Sequence, residues 1–267
     1  MKPYLSVLRI RSLVLLQYRM AAFAGMCTQI LFGWVRVMIL EGFYTSSTAL
    51  QPMSYAQAVT YIWLGQAMLR MLPWDGDLEI QAMIRKGDLA YELCRPLGLY
   101  EHWFARAIAL RTAPTLIRAL PVFAFAFFLL PGPYRMQPPP GWLEMGAWVL
   151  TSVGALLLSA AITNIINISM LWTISGEGVL RLLPALVLIF SGMIVPLPLL
   201  PEWSQAVLRF LPFSGLVDTP SRFYLGHLPV SQLPGYLGTQ LAWTGLLVAL
   251  GRWLLHRGMK RVVVQGG

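Results

Sequence analysis

Residues 146–172, GAWVLTSVGALLLSAAITNIINISMLW, contain no charged side chain. An α-helix needs about 20 mostly apolar residues to cross the hydrocarbon core of a bilayer. In lipid, every backbone N–H and C=O must be bonded internally, and a helix achieves this within one segment. The stretch is therefore predicted to be a membrane-spanning helix, and it sets the fold class of the chain.

The composition of the whole chain agrees with a membrane protein. Of its 267 residues, 57% are hydrophobic and 12% are charged, and this is too little charged surface for a soluble domain of that size. The net charge of +9 is spread along the chain and forms no dense basic block of the kind that binds nucleic acid. We therefore expect contact with membrane lipid and no nucleic-acid partner.

Five further segments are also apolar enough to be spanning candidates, which predicts an all-α polytopic membrane protein with six transmembrane helices in one domain, residues 1–267. The predicted spans cover about 22–43, 54–73, 107–130, 146–172, 180–197 and 235–256. The fifth contains Pro184 and ends in a series of prolines, so we expect it to be short or kinked.

The positions of the basic residues predict the orientation of the chain. Six spans place both termini on one side of the membrane. If that side is the cytoplasm, only Arg135, Arg209 and Arg222 lie outside, and the other basic residues of the connecting segments lie inside, as the positive-inside rule requires. We expect a multi-pass protein of the bacterial inner membrane with both termini cytoplasmic, and with Cys27 and Cys94 at or near the reducing side.

Two segments are predicted to lie at the membrane surface without crossing it. Residues 1–20 are too basic to span, and their apolar positions share a helical face broken only by Arg11. This indicates an amphipathic interfacial helix, or a basic anchor that only sets the topology. Residues 198–234 are apolar but interrupted by prolines, which predicts short re-entrant helices on the outer side, the first starting at Pro201. Within this outer segment we single out Trp203, Phe210, Pro212 and Phe213.

Charge is concentrated between the second and third predicted spans. The stretch Ile84–Glu101, IRKGDLAYELCRPLGLYE, holds six charged residues. Its apolar residues form a helical stripe, Gly87 is placed to break the helix, and Pro96 ends the run. Such a helix commonly docks onto a soluble partner; the alternative is a solvated loop that packs on the ends of its own spans.

The order of these features resembles the permease subunits of ABC-2-type transporters over almost the whole chain. The resemblance is carried by EIQAMIRKGDLAYELCRPLGLYE, residues 79–101, and by FSGMIVPLPLLPEW, residues 190–203, which LRFLPF follows. The pattern of the family falls on Ile84, Gly87, Leu89, Leu93, Arg95 and Pro96.

The resemblance implies that the cytoplasmic loop 74–106 is a coupling element seated in a cleft of a separate ATPase subunit. Charged residues would form the rim of that contact and apolar residues its buried anchors. The ATPase-coupling residues implied are Arg85, Lys86, Gly87, Asp88, Leu89, Tyr91, Glu92, Leu93 and Arg95. Glu177 is a candidate for a second contact, although its spacing from Arg181 equally suits an internal helix pair.

The chain has no G-x-x-x-x-G-K-[ST] loop, so ATP and Mg are expected in the partner ATPase and no cofactor, metal or catalytic residue in this chain. A permease with six spans is half of a translocation path. The resemblance therefore implies an ATP-driven exporter with two ATPase copies and a second permease, which is either the same chain or a related one.

Polar residues within the predicted spans are candidates for a translocation path. Ser159, Thr163 and Asn167 recur every fourth residue in the fourth span. Arginines also fall within predicted spans, at Arg36, Arg111 and Arg118. Polar groups at membrane depth suggest function by default, but hydrogen bonds between helices are the other explanation for the stripe.

Two other classes of function stay open at this point. Asp75-Gly76-Asp77 is an acidic cluster of the kind that holds a metal with a diphosphate in membrane enzymes acting on lipid-linked substrates. No second acidic cluster accompanies it, and the three histidines are scattered. A membrane scaffold without transport is the third class.

Overall fold

The structure is a computed structural model that describes residues 2–17, 19–47, 51–172 and 177–260. Within these residues the chain is helical and contains no strand, which confirms the all-α prediction. The helices are, in chain order, α1 (Lys2–Leu16), α2 (Arg19–Ser46), α3 (Tyr55–Ala67), α4 (Leu78–Lys86), α5 (Leu89–Leu93), α6 (Leu99–Ala124), α7 (Trp142–Ser169), α8 (Glu177–Phe190), α9 (Glu202–Phe210), α10 (Asp218–Tyr224) and α11 (Leu233–Met259).

Three helical segments of the described chain are long and apolar enough to cross a membrane. They are Met20–Ser46 in α2, Leu99–Leu129, which is α6 with a final π-helical turn, and Trp142–Ser169, which is α7. These segments correspond to the first, third and fourth predicted spans. α7 lies at the centre of the bundle, where it contacts α6, α10 and α11.

The other three predicted spans form helices of unequal length. α3 has 13 residues and α8 has 14, so that each is about 20 Å long at 1.5 Å per residue. By contrast, α11 has 27 residues. Residues 58–67 of α3 are buried on every side, because α3 packs among α2, α6 and α10. That the chain crosses the membrane six times therefore stays a prediction.

α3 is shorter than the predicted span 54–73 for local reasons. The Ser54 side chain accepts a hydrogen bond from the backbone N–H of Gln57 and so fixes the start of the helix. After Met68 the chain turns through the 3-10 segment Leu69–Met71, and Pro73 follows. The backbone thus leaves the helix before it reaches the residues that the apolar run had suggested.

The predicted loop 74–106 is also shorter in the structure, because α6 already begins at Leu99. α1 packs along α6, and further up α6 the guanidinium of Arg118 donates to the Ala21 carbonyl at 3.3 Å. Since Ala21 lies in the first turn of α2, the turns of α6 that precede Arg118 extend beyond the N-terminal end of α2. They form a platform at that end of the bundle.

The outer segment forms two short helices that its prolines delimit. Pro201 precedes α9, and Pro212 opens a 3-10 turn that leads to α10. α10 packs against α7 and α3. The short helices expected from the prolines are present, whereas their re-entry into a membrane stays a prediction.

One buried amide joins the outer segment to the bundle. The side-chain Nε2 of Gln240 in α11 donates to the Gly215 carbonyl at 2.7 Å and to the Thr151 carbonyl of α7 at 3.0 Å. Gln240 is 2% exposed, so water does not replace these bonds.

We expect Gln240→Leu to lower the free energy of unfolding by about 1–3 kcal/mol, because the two buried hydrogen bonds that join α11 to Gly215 and to α7 are lost. Thermal unfolding of the purified chain in detergent measures this change. Thr239→Ala, at the exposed neighbouring position, is the control and should shift stability by less. Equal effects of the two changes would show that the buried amide does not hold the outer segment.

Candidate functional site

α4 and α5 form a helical hairpin, Leu78–Leu93, which we call the coupling hairpin after the role that the resemblance predicts for it. Asp77 starts it, because its Oδ1 accepts from the backbone N–H of Glu79 at 3.0 Å and of Ile80 at 3.3 Å. Gly87 ends α4 in the left-handed conformation with φ of 76°, where a side chain would be strained. The helix break predicted at Gly87 is confirmed.

The exposed surface of the hairpin is basic. Arg85, Lys86 and Arg95 are exposed, and the Leu93 side chain is 51% exposed beside them. Asp88 is half-buried. The side chains of two other predicted contacts, Tyr91 and Glu177, lie outside the described part of the chain.

Two predicted coupling residues point into the protein instead. Leu89 is 1% exposed and packs in a cluster with Ile80, Trp103, Ile168 and Leu255. It cannot be a free surface anchor, so that expectation is corrected: Leu89 anchors the hairpin to α6, α7 and α11.

Glu92 is likewise buried. Its Oε2 lies 3.2 Å from His102 Nε2 of α6, and its Oε1 lies 3.4 Å from the exposed Arg95. Its carboxylate therefore meets α6 and its own hairpin, and it is not part of an exposed rim.

Charged pairs that the sequence reasoning did not assign hold the hairpin on the bundle. Arg106 Nε and Nη2 each donate at 2.9 Å to one carboxylate oxygen of Asp77, in the two-pronged geometry that favours arginine over lysine. Arg111 is fully buried, with Nη1 2.9 Å from Asp75 Oδ1. Burial raises the pKa of Asp75, but the charges of Arg111 and Arg70 outweigh it, so that this pKa is lowered overall.

The polar stripe of α7 bonds to the same region. Ser159 donates to the Met71 carbonyl, Thr163 accepts from Arg111 Nε at 3.0 Å, and Asn167 Oδ1 accepts from the Asp77 N–H at 2.8 Å. All three side chains are fully buried. The stripe thus fixes the turn between α3 and the hairpin, and its contact with a transported molecule stays a prediction.

Glu79 connects the hairpin to α1. It forms a salt bridge with Arg11 and lies 3.1 Å from Arg106 Nη2. The hydrogen bonds from Arg11 are the main cause that lowers the pKa of Glu79 to about 2. Arg11, which interrupts the apolar face of α1 in the sequence, thus has its acidic partner on the hairpin, while α1 itself packs along α6.

The outer residues form a separate region near the N-terminal half of α7. Trp203 is 76% and Phe210 is 79% exposed on α9. Pro212 and Phe213 are half-buried, and the Phe213 ring lies 6.1 Å from that of Phe190. These residues do not meet the coupling hairpin, which contacts the C-terminal end of α7.

The two carboxylates of the Asp75-Gly76-Asp77 cluster form ion pairs with arginines. Each carboxylate pairs with at least one guanidinium, and within the described residues no group of three His, Cys, Asp or Glu side chains has metal-binding proximity. The sequence contained a signal for this pairing with arginines. The two acids directly follow the predicted span 54–73, and Arg106 and Arg111 lie in the next long helix.

Residues 30–266 match the family model described as ABC-2 family transporter protein. The chain therefore belongs to the ABC-2 family of transporter proteins, which confirms the resemblance found in the sequence. It is a multi-pass membrane permease of a family that acts with an ABC ATPase. A search of curated proteins found no match to this chain.

We expect Glu79→Gln to lower the thermal stability of the protein at pH 7. This loss of stability should become smaller as the pH falls. In the folded protein the pKa of Glu79 is lowered to about 2 from its ordinary value of 4.5. The stability from its charge is therefore complete above about pH 4.5 and is lost as the pH falls toward 2. Thermal unfolding in detergent between pH 7 and pH 3 should show the gap between wild type and variant narrowing.

Glu202→Gln, on exposed α9, is the control for removing one carboxylate and should leave the pH profile unchanged. A gap between wild type and Glu79→Gln that stays constant down to pH 3 would contradict the ionic connection between α1 and the hairpin.

Proposed function

We propose that this permease is the transmembrane subunit of an ATP-driven exporter and couples to a separate ATPase through the coupling hairpin. The observation that carries this proposal is an exposed surface on which basic side chains surround Leu93, at the far end of a short hairpin held to the bundle by buried contacts. The contacts of Leu89, Glu92 and Asp77 with α6 and α7 also suit a loop that packs on its own spans, so the exposed surface around Leu93 is what favours a soluble partner.

The exposed residues define what the partner would present. Leu93 would fill an apolar pocket of the ATPase, because a desolvated centre supplies most of the energy of a contact. Arg85, Lys86 and Arg95 surround it. The docking cleft is therefore expected to be acidic, and these charges would set orientation and association rate more than affinity.

The buried contacts supply the route by which movement of the ATPase would reach the membrane. A push on the hairpin would act on α6 through Asp77–Arg106 and on α7 through Asn167. It would act on α1 through Glu79–Arg11. Rigid-body tilting of packed helices is the usual result of such a displacement.

The wider assembly in the proposal keeps the predicted topology. Six crossings, two of them made with short helices, would place the hairpin and both termini in the cytoplasm of a bacterial cell. The outward side chains of α1, Leu5 and Leu13, are 65% and 53% exposed, as suits a helix lying in the headgroup layer. On the outer side, the exposed Trp203 and Phe210 would enter lipid as part of a re-entrant α9.

A working transporter would contain two permeases and two ATPase copies, with ATP and Mg bound by the ATPase. The enzyme and scaffold alternatives require no ATPase partner. Association with an ATPase therefore separates the three classes.

We expect Leu93→Asp to abolish co-purification of the ATPase without loss of membrane insertion, because it places a charge in the apolar centre of the contact. The measurement is affinity purification from native membranes in mild detergent, followed by mass spectrometry for a partner with a Walker A loop. Leu78→Asp is the matched control, since Leu78 is 75% exposed at the start of the same hairpin. This variant should retain the partner.

Leu89→Asp should instead unfold the hairpin and lower the thermal stability of the permease itself. Normal ATPase association in Leu93→Asp would refute the docking role of the hairpin. Recovery of wild-type permease with no ATPase would remove the coupling proposal and favour the enzyme or scaffold alternatives.

We also expect the double change Arg85→Glu and Lys86→Glu to weaken ATPase binding by about tenfold at low salt, with a smaller effect at high salt. Binding of purified ATPase to the permease in nanodiscs measures the affinity. Arg257→Glu is the control for net charge, because Arg257 is an exposed basic residue in the last turn of α11, at the end of the bundle that carries the hairpin. If this control weakens binding as much as the double change, the hairpin charges have no special role.

A further inference from the structure

A cavity opens between two spanning helices at the end of the bundle that carries the coupling hairpin. It has a volume of about 260 Å³ and is lined by Gln29 of α2, Arg118 of α6, and Leu69, Arg70 and Trp74 of the turn between α3 and α4. Two of its five lining residues are cationic. None of them belongs to the surface proposed for the ATPase.

The Gln29 side chain is buried here without partners. It is 2% exposed, and neither Nε2 nor Oε1 has a hydrogen bond within the described chain. An unsatisfied buried amide is costly, and such groups in native proteins call for a specific explanation. A ligand that accepts from Nε2 supplies one.

Arg118 adds a positive charge that no nearby acid balances. Its guanidinium donates to the Ala21 carbonyl, its Nε has no partner, and among the described residues it forms no ion pair. It lies against α2 where Gly25 has no side chain, since a Cβ at that position would collide with the guanidinium. Arg70 is paired with Asp75 at 3.2 Å, so the cavity keeps a net positive charge.

The surroundings of the cavity are apolar and face outward. Leu116 and Leu120, on either side of Arg118 in α6, are 57% and 69% exposed. Leu31 and Phe32, just after Gln29 in α2, are 62% and 55% exposed. Cationic donors are thus placed beside surfaces suited to acyl chains.

We propose that this cavity binds the phosphate of an anionic membrane lipid, with Arg118, Arg70 and Gln29 as donors and the acyl chains along the exposed faces of α2 and α6. Basic pockets between spanning helices are known sites for anionic headgroups. The Arg118 guanidinium bonds to the Ala21 carbonyl in the first turn of α2, at the end of the candidate span Met20–Ser46 where the headgroups of one leaflet would lie. That this leaflet is the cytoplasmic one rests on the topology in the proposed function; the site itself does not.

The test titrates the purified full chain, in neutral detergent, with dioctanoyl phosphatidylglycerol, dioctanoyl phosphatidylcholine and inorganic phosphate, by isothermal titration calorimetry. We expect phosphatidylglycerol to bind at least about tenfold more tightly than the other two, as a charged hydrogen-bond partner in a buried site provides. Arg118→Gln should remove this preference. Arg257→Gln, which removes an exposed charge at the same end of the bundle, should preserve it.

Gln29→Leu gives a second variant that does not depend on the folding of Arg118→Gln. Replacing an unsatisfied buried amide by an apolar side chain of similar size should leave thermal stability without lipid unchanged or higher. The same variant should bind phosphatidylglycerol several-fold more weakly. A loss of stability with unchanged lipid affinity would show that Gln29 is only structural.

The proposal is overturned if phosphatidylcholine binds equally well, or if Arg257→Gln reduces the preference as much as Arg118→Gln. Inorganic phosphate binding as tightly as the lipid would assign the site to a free anion instead. Because these titrations use the permease without ATPase, they succeed or fail independently of the coupling experiments.

Discussion

A guanidinium buried away from water must have its charge and its donors satisfied, and Arg111 imposes that requirement on this chain. Its partners, Asp75 and Thr163, come from a turn and from α7. The turn between α3 and α4 must therefore return to the place where α6 and α7 meet. Once it is fixed there, Asp77 falls within reach of Arg106, and the start of the coupling hairpin is determined.

The position of the hairpin explains how one short segment combines two opposite properties. Its inner side carries Leu89, which packs against α6, α7 and α11, and Glu92, whose carboxylate lies against the buried His102 side chain. Its outer side carries Leu93 among basic side chains. A surface with the proposed coupling role must be free to bind yet unable to move on its own, and these two sides meet the two demands.

The two halves of α7 have different partners. The C-terminal end of α7 binds the hairpin through Asn167, whereas its N-terminal half meets α10 and the amide of Gln240. The hairpin and the segment 198–234 are thus attached to different parts of one central helix. The arginine-lined cavity lies on the same turn that Arg111 fixes, so lipid at that site and the hairpin share one piece of backbone.

Local properties of the sequence were sufficient for the fold class, for the break at Gly87 and for the family. Apolar runs and glycine conformation depend on neighbouring residues only, and the order of the motifs is read directly along the chain. Leu89 and Leu93 show where this information ends, since they lie on one apolar stripe and yet one is buried and the other exposed. That difference depends on Trp103, Ile168 and Leu255, which are distant in sequence. The partners of the α7 stripe and the pairing of Asp77 with Arg106 were also decided by tertiary structure, because burial and charge compensation are set by contacts between segments and not by the pattern within one.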